Sequence, residues 1–181
     1  MPTPDAVPLT EASAQDYVEH ARVINDLARH AMGKALAEER STLDMKVSIG
    51  LSLQAAELAG KSMLRSLGVP VEEIRKQHRN HNLPQLLDAV DSLFEADSAG
   101  RFEDLIGFQC HTVEVGGQEY GTTIGRYLDD HFAAGPTAMP RSYFYPDELK
   151  FSGPDPAEIL LVMVDKLIQV ASEAIVLAAA V

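Results

Sequence analysis

The sequence predicts an all-α fold, and three observations predict it. Apolar residues recur at steps of three and four over long stretches. Ala and Leu abound while aromatic residues make up only 6% and Trp is absent. Capping residues and breakers stand at the ends of the periodic stretches. Strand-type alternation surfaces at one place, where it predicts a small hairpin or loop insertion near residues 112–122.

Residues 1–9, with three prolines, read as a loose arm ahead of a single helical domain over 10–181. Thr10 reads as the N-cap of a first helix running to about Arg40, with Tyr17, Ala21, Ile24, Ala28, Ala31 and Ala35 on one face. Ser41 to Asp44 supplies polar cap residues for a second helix, which Gly68 ends with Pro70 just beyond. Its apolar stripe is Ile49, Leu53, Ala56, Met63 and Leu67, flanked by the small residues Gly50, Ser52, Ala59, Gly60 and Ser62. A glycine inside a helix costs about 1 kcal/mol relative to Ala. Gly60 therefore predicts close approach by another helix or by a partner chain.

A short helix is expected over 72–79. Another starts near Leu83, with Asn82 as its cap and Pro84 in the first turn, where a missing N–H costs nothing. Its face is Leu83, Leu86, Leu87, Val90, Leu93 and Phe94, and a further helical stretch is expected from Arg101 to Phe108. Thr112 to Val115 then alternates, Gly116-Gly117 can turn tightly, and Gln118 to Tyr120 can return. Thr123 is placed to cap a helix from Ile124 to about Ala134. Asp155-Pro156-Ala157-Glu158 opens the last helix in capping-box order.

The formal net charge of −12 excludes indiscriminate binding to nucleic acid, whose phosphates would be repelled at long range, but it leaves room for a local basic site. Cys110 is the only cysteine, so no intrachain disulfide can form, and a reducing cytoplasm is the expected setting. A buried or partly buried structural thiol is the expectation for it. The N-terminus shows no basic region followed by an apolar run. The apolar stretch from Ile159 is interrupted by Asp165, Lys166, Gln169, Ser172 and Glu173, so it reads as a buried core helix and not as a membrane span.

Two constellations can carry chemistry. The first is Arg75, Lys76, His78, Arg79 and His81, with Lys61 and Arg65 on the preceding helix. Such clusters hold phosphates by charge and directed hydrogen bonds. The plain alternative is a solvated run balanced by Glu72, Glu73, Asp88 and Asp91. His78 and His81 lack the third and fourth donors a metal needs, and His111 or His131 can join them only through the fold, so no metal or cofactor is expected. The second constellation is Arg126 and His131. Histidine moves protons near neutrality and arginine stabilises charge on a phosphoryl group, so the pair can cleave RNA without metal by activating the 2′-hydroxyl. Asp129 and Asp130 are equally natural ion-pair partners for the same side chains.

With these residues in view, the chain resembles the HEPN family of helical domains. Leu51 to Gly68 is similar to the family's helix with an Ala-Glu…Lys core, and His81 to Val90 to its His-polar-Leu-x-x-Leu-Leu segment. Arg141 to Ala171 resembles the tyrosine–proline loop that leads into the final helix, read here as Phe144-Tyr145-Pro146. The resemblance spans roughly 46–172. It implies an antiparallel up-and-down helical bundle that pairs into a homodimer, with Arg126 and His131 as the catalytic pair of the family's ribonuclease toxins. Other members bind nucleotides or accompany a nucleotidyltransferase, which makes Arg75, His78, Arg79, His81, Arg141 and Tyr145 the ligand-binding candidates. The expected role is a cytoplasmic module that binds a nucleotide, RNA, another anion or a partner of nucleotidyltransferase or antitoxin type. A metal-independent endoribonuclease and a dimerisation scaffold are the alternatives.

Overall fold

The computed structural model describes residues 12–37, 42–78, 82–115, 118–127 and 155–180, and these are mostly helical. Helix α1 (Ala14–Ala37) starts later than expected, because the cap is Ser13 and not Thr10. The Ser13 hydroxyl accepts the Asp16 N–H at 3.1 Å while the Asp16 carboxylate accepts the Ser13 N–H at 2.7 Å. The two groups thus satisfy donors at the helix start reciprocally. Helix α2 (Thr42–Ser66) ends as expected at Gly68, whose φ of 85° needs a residue without Cβ. The Val69 N–H reaches the Leu64 carbonyl and the Gly68 N–H the Arg65 carbonyl, which occupies two of the helix's open acceptors.

Helix α1 runs against both of its long neighbours. At one end Ser62 on α2 donates to the Ala14 carbonyl at 2.7 Å, so the start of α1 meets the later part of α2. On the other flank lies α5 (Asp155–Ala179), where Arg22 donates to Ser172 and Asn25 to Asp165, both at 2.7 Å, and Arg29 pairs with Asp165. Rising numbers on α1 meet falling numbers on α5, so these two helices are antiparallel. The layer between them is built from small and branched side chains: Val18, Ala21 and Ala28 on α1, Ile49 and Leu53 on α2, and Leu160, Leu167 and Ala171 on α5. Among the described residues no helix is long and apolar enough to cross a membrane.

Helices α3 (Val71–Gln77) and α4 (Leu83–Glu95) follow, the latter capped as expected by Asn82, which accepts the Gln85 N–H at 3.1 Å. Gly60 receives its explanation here. A Cβ at that position would lie 2.8 Å from Leu86 Cδ2 and 3.0 Å from its Cγ, so α4 rests directly on the α2 backbone. The close approach comes from a helix of the same chain. Leu93 departs from the expected apolar face of α4, being 38% exposed.

The expected helix over 101–108 is instead a chain of turns around one short 3-10 segment, Glu103–Leu105. Gly100 and Gly107 take φ of 66° and 74°, leaving too few residues between them for a stable helix. Tertiary contacts fix the segment. Phe94 stacks on Phe102 with centroids 5.0 Å apart and meets Phe108 edge-on at 5.8 Å. Asp91 accepts the Gly107 N–H at 2.9 Å, and Asp88 accepts the Gln109 amide at 3.1 Å. Both carboxylates hold this turn.

The turn delivers the chain into an antiparallel hairpin, β1 (Cys110–Val115) and β2 (Gln118–Thr123), with Cys110 opposite Thr123 and His111 opposite Thr122. Its position is the one the alternation in the sequence indicates. Cys110, expected to be at least partly buried, is exposed. The strand carries it outward at the end of the ladder. The Ile124 N–H bonds the Gln109 carbonyl at 3.2 Å, and Thr123 caps the next helical turn by accepting the Arg126 N–H at 3.2 Å. Over 124–127 Ile124 and Tyr127 are buried and Arg126 is exposed.

Candidate functional site

The basic constellation around α3 is only partly a surface feature. Arg75 and Lys76 are exposed in the last turn of α3. Arg65 is engaged in structure, its Nε donating to the Ala12 carbonyl at 3.2 Å and its Nη1 to the Val69 carbonyl at 2.8 Å. Lys61 pairs with Glu57, which is 5% exposed. His78 caps α3 and is itself buried, with its N–H on the Ile74 carbonyl at 2.8 Å and its Nδ1 without a hydrogen-bond partner among the described residues. Burial, and then the Lys61 ammonium, hold this imidazole below its ordinary pKa, with Glu57 pulling the other way. Arg79, His81, His131, Arg141 and Tyr145 lie outside the described residues.

Arg126 belongs to a different place. It lines a cavity of about 350 Å³ with Cys110, His111 and Gly121 to Thr123. The same stretch of β1, Cys110 to Thr112, also lines a second cavity of about 660 Å³ whose far wall is α5, with Glu158, Val162, Met163 and Lys166. Arg75 and His78 line neither cavity. The strand therefore stands between two hollows, with a guanidinium on one side and an ammonium on the other.

His111 sits at this junction. Its Nε2 is shielded from solvent and has no hydrogen-bond partner among the described residues. Burial first, and then the Lys166 ammonium, push its pKa below the usual value, so the ring is neutral at pH 7. An unpaired buried nitrogen costs about 1–3 kcal/mol, a cost that recurs in proteins where a ligand or water completes the site. Each hollow thus carries one basic side chain on its wall, Arg126 in the smaller and Lys166 in the larger, and His111 lines both.

Sequence reading assigned His111 no role except through the fold, and used Lys166 only as an interruption of an apolar helix. Nothing local pairs them: they line one cavity because the fold brings β1 and α5 to the same hollow. The available signal was a single lysine within the otherwise apolar stripe Ile159, Val162, Met163 and Lys166.

The two shielded imidazoles make the stability of the fold sensitive to acid. Both hold a proton more weakly in the folded chain than their ordinary value of 6.5. Below that pH the unfolded chain therefore binds protons that the native chain refuses. Their contribution is complete above pH 6.5 and is lost as pH falls through the lower folded values. The melting temperature is expected to drop on this acid limb, and His78→Gln to flatten it. An equal slope in the variant contradicts the assignment to His78.

Among the described residues, no group of three or more His, Cys, Asp or Glu side chains is placed to hold a metal ion. No protein family matches the chain, and no curated protein or solved structure matches it either.

Proposed function

We propose that this chain is an up-and-down helical domain of HEPN type that binds an anionic ligand, a nucleotide or a short RNA, between the hairpin and α5. The observation that carries the reading is that Cys110 to Thr112 line two hollows, one with Arg126 on its wall and the other with Lys166. A chain of net charge −12 repels polyanions in general. Binding then rests on these local cations, which favours a small or single-stranded ligand over a long duplex. On the family resemblance, the domain works as a homodimer beside a nucleotidyltransferase-type or antitoxin partner.

A thermal-shift titration with nucleoside 5′-monophosphates tests this. At one hundred times the dissociation constant a ligand raises stability by about 2.7 kcal/mol, or about 5–10 °C for a domain of this size. The shift is expected in the wild type and lost in the double charge reversal Arg126→Glu, Lys166→Glu. An equal shift in both proteins places the ligand elsewhere. No shift with any mononucleotide or short RNA removes the reading.

The position of Arg126 on a cavity wall also favours a second reading, a metal-independent endoribonuclease that uses Arg126 with His131. Expression should then arrest growth, His131→Ala should abolish the arrest, and purified protein should cleave RNA to products with a 2′,3′-cyclic phosphate. Harmless expression and intact RNA leave the binding reading.

A further inference from the structure

Resting on the homodimer in the reading above, and not on its anion cleft, we infer that a second copy of this chain covers the outer face of α1. The two helices run antiparallel across a two-fold axis at the level of Asn25. Helix α1 turns Val18, Ala21, Asn25, Ala28, Met32 and Ala35 into the fold. The opposite face carries Asp16, His20, Val23, Leu27, His30 and Lys34, all of them exposed. These six stand at alternating steps of four and three, the spacing of a coiled-coil seam. Val23 and Leu27, 57% and 54% exposed, lie one turn apart at its centre. The seam extends about 27 Å along the helix.

The order of side chains selects the occupant. The acids Asp16 and Glu19 stand at the start of the face, and the ammonium of Lys34 stands in the last turn. None of the three has an ion-pair partner among the described residues. A two-fold axis at position 25 pairs residues that stand equally far before and after it. It sets Asp16 against the partner's Lys34, His20 against the partner's His30, and Val23 against the partner's Leu27. The partner's Glu19 adds a second carboxylate about one turn from the same ammonium. A parallel copy would set acid on acid and ammonium on ammonium, which is repulsive at both ends. An order that runs from acid to base about an apolar pair is complementary to itself, which a symmetric dimer requires and an unrelated partner does not. Asp26, near the axis, sits off the seam and 3.4 Å from Arg29, which also reaches α5.

Sedimentation equilibrium across micromolar concentrations reads the association directly. A monomer–dimer equilibrium is expected for the wild type. Leu27→Glu should weaken the dimer about a hundredfold, because a tenfold loss at one contact counts twice in a symmetric pair. Val176→Glu, at an equally open position on α5 (68% exposed), should leave association unchanged. Both side chains are exposed, so both variants should melt close to the wild-type temperature.

A mixed disulfide reads the orientation without a weakened variant. In a Cys110→Ser background, which removes the exposed native thiol, chains carrying Val23→Cys are mixed with chains carrying Leu27→Cys and oxidised with glutathione disulfide. The antiparallel pair holds 23 opposite 27 and offsets like positions by about 6 Å along the axis. The mixed disulfide should therefore dominate over the two like-with-like products. A dimer that survives Leu27→Glu, is lost in Val176→Glu, or links like positions preferentially overturns the α1 face and leaves a homodimer standing. A monomer at every concentration overturns the face together with the homodimer, and leaves the anion cleft to its own titration.

Discussion

Phe94→Ala is expected to destabilise the chain by about 3–5 kcal/mol, the range for deleting a buried aromatic side chain. Phe94 is 1% exposed, and its ring meets both Phe102 and Phe108. Its loss leaves a cavity under the turns of 96–109 and removes two aromatic contacts worth about 0.5–1.5 kcal/mol each beyond their area. Because those turns lead directly into β1, the damage extends to the hairpin. A domain of this kind has about 5–15 kcal/mol in total, so the variant sits close to the unfolding threshold. Equilibrium denaturation measures it, with Leu93→Ala as the neighbouring control. Leu93 is 38% exposed and should cost about 1 kcal/mol or less. Equal costs at the two positions contradict the packing described here.

The second large effect is at Gly60. Helix propensity alone favours Gly60→Ala by about 1 kcal/mol. The new Cβ, however, would lie 2.8 Å from Leu86 Cδ2, and Leu86 is itself 1% exposed with nowhere to retreat. Overpacking of this kind costs about 1–3 kcal/mol, so the two terms nearly cancel for Ala and the clash wins for anything larger. Gly60→Val adds two methyl groups beyond that Cβ and makes it a branch point, and is expected to cost about 3 kcal/mol or more. A double-mutant cycle identifies the cause. Combined with Leu86→Ala, the cost of Gly60→Ala should fall below its value in the wild type, a coupling of at least about 0.5 kcal/mol. Simple additivity means that α4 does not press on this part of α2.

The fold was legible where its causes are local. The cap of α4 at Asn82, the stop at Gly68 and the hairpin after Cys110 each follow from a few adjacent side chains. Gly60 announced a close approach without saying which helix makes it. Sequence reasoning failed where distant groups decide. The stretch 101–108 carries helical spacing, yet Phe94, Asp88 and Asp91 hold it as turns from another element. Of the candidate site, Arg126 and its Thr123 cap were readable. His111 and Lys166 were not, since α5 meets the hairpin only in the folded chain. Burial changed the meaning of two other candidates. His78 and Lys61 read as members of a basic surface, but one is a shielded neutral ring and the other is paired with Glu57.

The central claim is that an anion is received at the hairpin–α5 cleft and not at the basic helix α3. An amide-resolved NMR titration with a nucleoside 5′-monophosphate tests it most directly. Shifts concentrated at 110–112, 121–126 and 158–166 are the predicted result. Shifts confined to Arg75, Lys76 and their neighbours on α3, with the hairpin and α5 silent at saturation, contradict it.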